Sequence, residues 1–446
     1  MTRRVIATLV LTAALVAPGS VAQAATPDNS NGLTVVGTNV IDARQTEYTV
    51  STAALTKPVR IRVVMPTGYD PSSSTRYPVL YLYHGTAGRP SDWITSGDAL
   101  ATTAGKDLIL VLPEAGYDGD GGGFFNNEWN GGKGGGSQWE TFQYEQVIGW
   151  IDHNFPTLAD RDHRAIAGLS QGGYGAMHGA VLHPDMFASV ASFSGAPDIF
   201  RNTAVRVGAS LVIEGITVGL NKKPPFTILG SPITNAAHWQ GHDPATLAEN
   251  LRGMQIGLWT AAGIPGKHDS VTNLWGGLSG NAIETLTHVS TLSMASYLQS
   301  LGIARHFDNY LFGTHTFPYW AQDLREYVPM LMDRFAHPQT PSRIAYGSTA
   351  KSYSQWDWSV SVQRTKTEQL TKLRDASMYQ FSFESRDAAT IVTPAWFTPG
   401  RLRYYTVASA GGSKIHQVIV PASGRLTIEV PGNANVFINR DDFPPS

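Results

Sequence analysis

The stretch 163–180 constrains this chain more than any other. An apolar run, His163-Arg164-Ala165-Ile166-Ala167, leads into Gly168-Leu169-Ser170-Gln171-Gly172, and mostly small residues come next from Gly173 to Ala180. Strand, Gly-x-Ser-x-Gly turn and small-residue helix, in that order, are what a nucleophile elbow requires. The serine sits in a strained strand-to-helix turn, and glycines two residues either side leave room for neighbouring backbone. The pentapeptide occurs once in the chain. Its alternative reading is a plain glycine-rich turn, but the elbow reading commits the surrounding chain to packed layers of strand and helix.

The rest of the sequence agrees with that commitment. Apolar runs at 59–65, 78–83, 108–112, 165–169, 188–193, 256–261 and 307–312 read as strands. Helical patterns lie between them at 140–154, 172–182, 282–299 and 318–335. Near-continuous apolar strands alternating with helices predict an α/β fold around a mostly parallel sheet. Asp243-Pro244 reads as a helix start, with Asp capping free N–H groups and Pro at the first helical position. The glycine-saturated stretch 116–136, with Phe124, Phe125 and Trp129 among its glycines, reads as a loop beside the site. Its Asp118-Gly119-Asp120 lacks the later ligands of a calcium loop and reads as a solvated turn. The long insertion 201–238 suits a lid or substrate wall. After the Pro-containing hinge 337–342 the period becomes two: Trp356, Trp358, Val360 and Val362 alternate with polar residues, as do Tyr379, Phe381 and Phe383. The expected domains are therefore an α/β-hydrolase-type domain at 33–337 and a small, sandwich-like all-β domain at 343–446.

At the amino terminus, Arg3, Arg4, the apolar run 5–16 and Ala22-Gln23-Ala24 read as a secretory signal over residues 1–24. No later stretch reads as the roughly eighteen apolar residues a membrane helix needs, so no transmembrane segment is expected. The chain is therefore expected to be exported, to the extracellular space or the cell envelope. There is no cysteine, which excludes disulfides, a cysteine nucleophile, thiolate zinc sites and iron–sulfur clusters. A formal net charge of −2 argues against nucleic acid as a partner.

A serine hydroxyl near neutral pH needs a base, usually His, oriented by a carboxylate, in the chain order Ser, acid, His. His315, in Leu311-Phe312-Gly313-Thr314-His315-Thr316-Phe317-Pro318, lies after the last expected strand and before a helix, where the base belongs. His163, His178 and His288 lie in or beside regular elements and read as structural or exposed. No His-Glu-x-x-His or close ligand cluster appears, so neither a catalytic metal nor another cofactor is expected. For the acid, Asp269 shortly after the strand 256–261 is favoured by position over Glu284 at the start of a helix. Two backbone N–H groups should hold the developing oxyanion: that of Gln171 and that of Thr86 in His84-Gly85-Thr86-Ala87-Gly88. His84, Trp129 and Phe317 are expected against the substrate.

Together these residues resemble the esterase-D family of carboxylesterases, feruloyl esterases and secreted mycolyltransferases. The resemblance is strongest to the mycolyltransferases, over 58–335. It is carried by Trp139-Glu140-Thr141-Phe142, the elbow at Ser170, Trp239 with Asp243-Pro244, and Gly313-Thr314-His315 with Tyr319-Trp320. The family's helix bearing the catalytic acid resembles Ile283-Glu284-Thr285-Leu286-Thr287, which implies Glu284 as acid, with Asp269 as alternate. The chain departs from the transferases at His84-Gly85-Thr86-Ala87, where they carry an Asp-Gly-x-Arg-like string, and at Phe317, where they carry Trp. His84 and Ala87 thus remove a carboxylate and a guanidinium suited to holding a sugar. The resemblance implies a secreted serine esterase or acyltransferase working through an acyl-enzyme on Ser170. It would take an ester substrate, with water or an alcohol or sugar as acceptor, and an envelope glycan or lipid as the wider partner. The competing expectation is a catalytically silent envelope or carbohydrate-binding protein on the same scaffold. In that case Trp356, Trp358 or Tyr379 of the β domain would touch carbohydrate rather than fill a core.

Overall fold

The computed structural model describes residues 27–269, 278–364 and 368–439. The expected signal at 1–24 lies outside the described residues.

A nine-stranded sheet forms the centre. Its strands are β1 (Thr34–Val40), β2 (Gln45–Ser51), β3 (Val59–Val64), β4 (Val79–Tyr83), β5 (Ile109–Pro113), β6 (Arg164–Leu169), β7 (Ser189–Phe193), β8 (Gln255–Thr260) and β9 (His306–Asn309). Their spatial order is β1-β2-β3-β5-β4-β6-β7-β8-β9. The first three strands form an antiparallel arm that reaches β5, and every pair from β5 to β9 is parallel. β4 to β7 are buried at every residue because helices cover both faces, which is why they read as unbroken apolar runs. β2 and β3 instead alternate between deeply and partly buried positions.

The helices that matter to the site are α1 (Ile148–Asn154), α2 (Gln171–Leu182), α3 (Thr203–Glu214), α4 (Leu278–Ser300) and α5 (Phe317–Ala336). The expected single helix at 140–154 begins as a π-wound stretch, Thr141–Val147, before continuing as α1. That winding buries Phe142, Gln143 and Tyr144 in succession, more than one α-helical stripe presents. Asp243 does cap: its carboxylate accepts from Thr246 N (2.8 Å) and Ile199 N (2.7 Å). Beyond it the chain makes a turn and a short 3-10 helix, Ala248–Leu251, not the expected α-helix. The strand expected at 307–312 ends at Asn309, and Leu311 and Phe312 are exposed.

Within the insertion 201–238, α3 and the π-wound Gly215–Leu220 run on as one helix. By length and composition alone, 203–220 would suffice to cross a bilayer, which corrects the expectation that no later stretch reaches that length. One side of this helix faces the cavity beside Ser170, and Val207 and Leu211 on it are exposed.

After α5 the chain is all strand. β10 (Ile344–Ser348), β13 (Thr371–Ala376), β14 (Gln380–Glu384), β19 (Ala434–Ile438), β16 (Leu402–Ser409) and β17 (Gly412–Ile419) form one antiparallel sheet in that order. β11 (Ser352–Gln355), β12 (Trp358–Val362), β15 (Ala389–Val392) and β18 (Thr427–Val430) form the second. Alternate residues of both sheets, among them Trp358, Phe381, Phe383, Ile428 and Val436, share one core. Trp358 is therefore core, Trp356 lies under the Arg161 guanidinium (5.0 Å) at the junction with the α/β body, and Tyr379 is exposed.

Candidate active site

The turn between β6 and α2 places Ser170 at φ 53°, ψ −123°, a backbone conformation that a side-chain-bearing residue holds only when its surroundings impose it. They do. Ser170 N donates to Phe193 O on β7 (3.0 Å), and Tyr174 N donates back to Ser170 O (3.1 Å). A β-carbon on Gly168 would lie 2.4 Å from Gly172 O, and one on Gly172 would lie 2.4 Å from His84 O. The glycines flanking the serine are thus required by the close approach of other backbone, which presses the turn tight and leaves the serine side chain half-buried at a cavity wall.

His315 stands in the loop before α5 and bridges Ser170 to Glu284. Its Nε2 is 2.8 Å from Ser170 Oγ and its Nδ1 is 2.6 Å from Glu284 Oε2. Because the carboxylate accepts, Nδ1 carries the proton and the Nε2 lone pair faces the hydroxyl. Glu284 is fully buried on α4. Its other oxygen accepts from Ser194 Oγ (2.8 Å) and from Ala261 N (2.9 Å) at the end of β8. Both carboxylate oxygens are thus committed, and a buried carboxylate so held keeps a fixed aim. The Trp320 ring packs edge-on against the imidazole at 4.9 Å and 87°. Sequence reasoning missed Ser194, Ala261 and Trp320 as supports, since each acts through a contact made only in the folded chain.

Asp269 does not reach His315. Its carboxylate accepts from Thr314 Oγ1 (2.6 Å), Tyr319 OH (2.7 Å) and Gly266 N (2.8 Å). The alternate acid is therefore an anchor for the loop that carries His315, attached to the residue immediately before it.

Ser170, Thr86, Gln171, His315 and Phe317 line one cavity of about 460 Å³. The remainder of its wall is largely aliphatic, with Ile199 just ahead of the insertion, Val205, Ala209 and Ile216 within it, and Leu286 from α4. Among the described residues, neither Thr86 N nor Gln171 N is engaged by another protein group. Their side chains are tied together, Thr86 Oγ1 donating to Gln171 Oε1 at 2.5 Å, and Gln171 Nε2 donates to Gly121 O (3.0 Å). The glycine-rich stretch 116–136 thus touches the site through Gly121 and Phe124.

Two expected substrate contacts are placed elsewhere. His84 is buried behind the 85–88 loop, with Nδ1 donating to Gly85 O (2.8 Å) and Nε2 accepting from Ala115 N (3.0 Å). It is occupied in holding the loop and does not line the cavity. Trp129 lines a separate cavity with Glu140, His238 and His242, because the glycine-rich stretch curls back toward 227–228, where Trp129 N donates to Ile228 O (3.0 Å). Asp120 accepts from Tyr117 N and Gly122 N, which closes the turn on itself. His163 pairs with Asp160 (2.8 Å), while His178, read as structural or exposed, is wholly buried.

Comparison with known proteins gives these observations a family. The sequence profile of the esterase family matches residues 52–331. The esterase Rv1288 of Mycobacterium tuberculosis is 34% identical over 231 residues, 51% of this chain and 48% of that protein, so the match spans about half the relative's length. The MPT51/MPB51 antigen of Mycobacterium bovis is 30% identical over 241 residues, covering 52% of this chain and 71% of that one. The diacylglycerol acyltransferase/mycolyltransferase Ag85A of Mycobacterium leprae is 26% identical over 263 residues, 57% and 74% of the two chains. The crystal structure of Mycobacterium tuberculosis MPT51 superposes with a TM-score of 0.48 at 23% identity, over 65% of this chain and 96% of that one. An α/β-hydrolase sheet, a serine at its elbow and a profile match over residues 52–331, most of the α/β body, place this chain in the esterase family.

Proposed function

We propose that this protein is a serine esterase or acyltransferase that forms an acyl-enzyme on Ser170. The observation that carries the reading is the unbroken hydrogen-bonded series Glu284–His315–Ser170 ending at an apolar cavity. Ser170 Oγ attacks the ester carbonyl while His315 Nε2 takes its proton. Glu284 stabilises the imidazolium, and the oxyanion is received by the N–H groups of Thr86 and Gln171, each worth about 2.7–4 kcal/mol in comparable sites. His315 then protonates the departing alcohol. Water or a second alcohol, deprotonated by the same histidine, releases the acyl group and restores Ser170.

The aliphatic wall favours an acyl chain over a polar acid. The cavity falls within the usual range for small-molecule sites, about 300–1,000 Å³. Export of the mature chain is part of the same reading and rests on the sequence of residues 1–24. Ser170→Ala is expected to abolish both p-nitrophenyl ester turnover and labelling by a fluorophosphonate while leaving the thermal midpoint in place. A wild type that neither takes the fluorophosphonate nor turns over any ester would favour a silent binding role. Unchanged turnover in the variant would end the proposal.

A further inference from the structure

A second cluster of chemistry-bearing side chains lies outside the Ser170 site. Glu140 immediately precedes the π-wound stretch, His178 lies in the penultimate turn of α2, and His242 comes directly after the short helix Ala236–Gly241. The fold brings His178 Nε2 within 3.2 Å of His242 Nδ1 and within 3.9 Å of Glu140 Oε2, and Glu140 Oε2 within 3.6 Å of His242 Nδ1. A triangle with those edges has its centre about 2.1 Å from each corner, which is the length of a zinc–nitrogen or zinc–oxygen bond.

The protein supplies no hydrogen-bond partner for this carboxylate oxygen. Glu140 Oε2 is buried and receives no hydrogen bond. Glu140 Oε2, His178 Nε2 and His242 Nδ1, the last two hydrogen-bonded to each other, thus converge on one point.

The donors are also held in place. Tyr174 stacks on the His178 ring at 5.3 Å and 12°, and its hydroxyl donates to His242 O (2.8 Å). Two cavities reach the cluster, both lined by Glu140, His238 and His242, and one of them also by Thr349 and Arg364 of the β region. His238 stands beside His242, with ring centres 4.4 Å apart, and its Nδ1 pairs with Glu368 at 3.2 Å. Its Nε2 is buried and unpartnered.

We propose that Glu140, His178 and His242 bind a divalent transition-metal ion, zinc first, with water in the remaining position facing the cleft between the α/β body and the β region. Two imidazoles and one carboxylate suit zinc and its neighbours better than calcium or magnesium, which take oxygen ligands. His238 is placed to hydrogen-bond the metal's water and, through Glu368, to join the β region to the site. Along α2, His178 lies about 12 Å of helical rise beyond Ser170, so the role proposed for the ion is to brace the junction rather than to take part in acyl transfer.

The test uses the full chain, stripped with a chelator and titrated with zinc by calorimetry, with cobalt(II) absorption reporting the geometry. One zinc per chain, a raised thermal midpoint with zinc but not calcium, and intense cobalt d–d bands are expected. His242→Ala and Glu140→Gln should each lower zinc affinity at least tenfold, with fluorophosphonate labelling of Ser170 retained. A second pair, His242→Asn and His238→Gln, covers folding failure in the first: the former should lose zinc and the latter should bind it more weakly. Stoichiometry near zero, or unaltered affinity in folded His242 and Glu140 variants, would overturn the proposal.

Discussion

Glu284 and Asp269 show how much a single residue's surroundings decide. Both come after β8, and both are carboxylates close to the loop of His315, yet only Glu284 meets Nδ1. Glu284→Gln is therefore expected to lower kcat by about 10³–10⁴, because an amide cannot hold the required tautomer. Asp269→Asn should cost less than tenfold in kcat and about 1–2 kcal/mol in stability, from weakened bonds to Thr314, Tyr319 and Gly266. Steady-state kinetics and urea melts of the two variants check the ranking, and the reverse order would reassign the acid. His84 supports a pH prediction. Burial holds its pKa below 6.5, and both ring nitrogens are already committed, one as donor and one as acceptor. Below about pH 6.5 the unfolded chain gains a proton that the folded protein refuses. Its contribution is thus intact above that value and is lost as pH falls toward the depressed folded value. The thermal midpoint of His84→Phe, lower overall, should fall less steeply than that of the wild type between about pH 7 and pH 5. Equal slopes would show that another group controls the acid limb.

At the scale of elements, the helical insertion after β7 forms much of the cavity wall beside Ser170. α3 turns Val205, Ala209 and Val212 toward the cavity and packs on α4 where Gly208 meets Leu286; a β-carbon at Gly208 would come within 2.6 Å of a Leu286 methyl. This close crossing keeps the cavity wall narrow and aliphatic. Ala209→Phe fills it from one side. Esters of ten- to twelve-carbon acids should then lose at least tenfold in kcat/KM, while acetate and butyrate esters stay within about threefold. Uniform loss across chain lengths would mean that the acyl group lies elsewhere. The same element was the least legible in the sequence. Its apolar residues serve a cavity and an exposed face at once, so its pattern matches neither a buried helix nor a two-sided surface helix. The β strands flanking the elbow were easier to read because burial on both faces leaves long apolar runs.

At the scale of the whole molecule, the α/β body and the β region meet, among the described residues, along a polar seam. Asn250 donates to Val181 O (2.8 Å) and Gly347 O (3.0 Å) and accepts from Gly347 N (2.7 Å), while Glu249 pairs with Lys372 (2.8 Å) and Arg374 (2.7 Å). Asn250→Ala strands three buried backbone groups and should cost about 2–4 kcal/mol, with calorimetry separating the β-region transition from that of the α/β body. A single unshifted transition would show the seam to be incidental. Contiguous residues alone specify an elbow at Ser170, a histidine loop before the last α/β helix, and alternating strands beyond residue 342. Those features are local in origin, set by turn sterics and by the period of side-chain burial. Whatever depends on the distance between segments remote in the chain came instead from packing. Packing joined His315 to Glu284 and its loop to Asp269, moved His84 behind the 85–88 loop and Trp129 into a second cavity, and gathered Glu140, His178 and His242 from three separate elements. Side-chain aim is set by how whole elements cross, and no spacing in the sequence carries that angle.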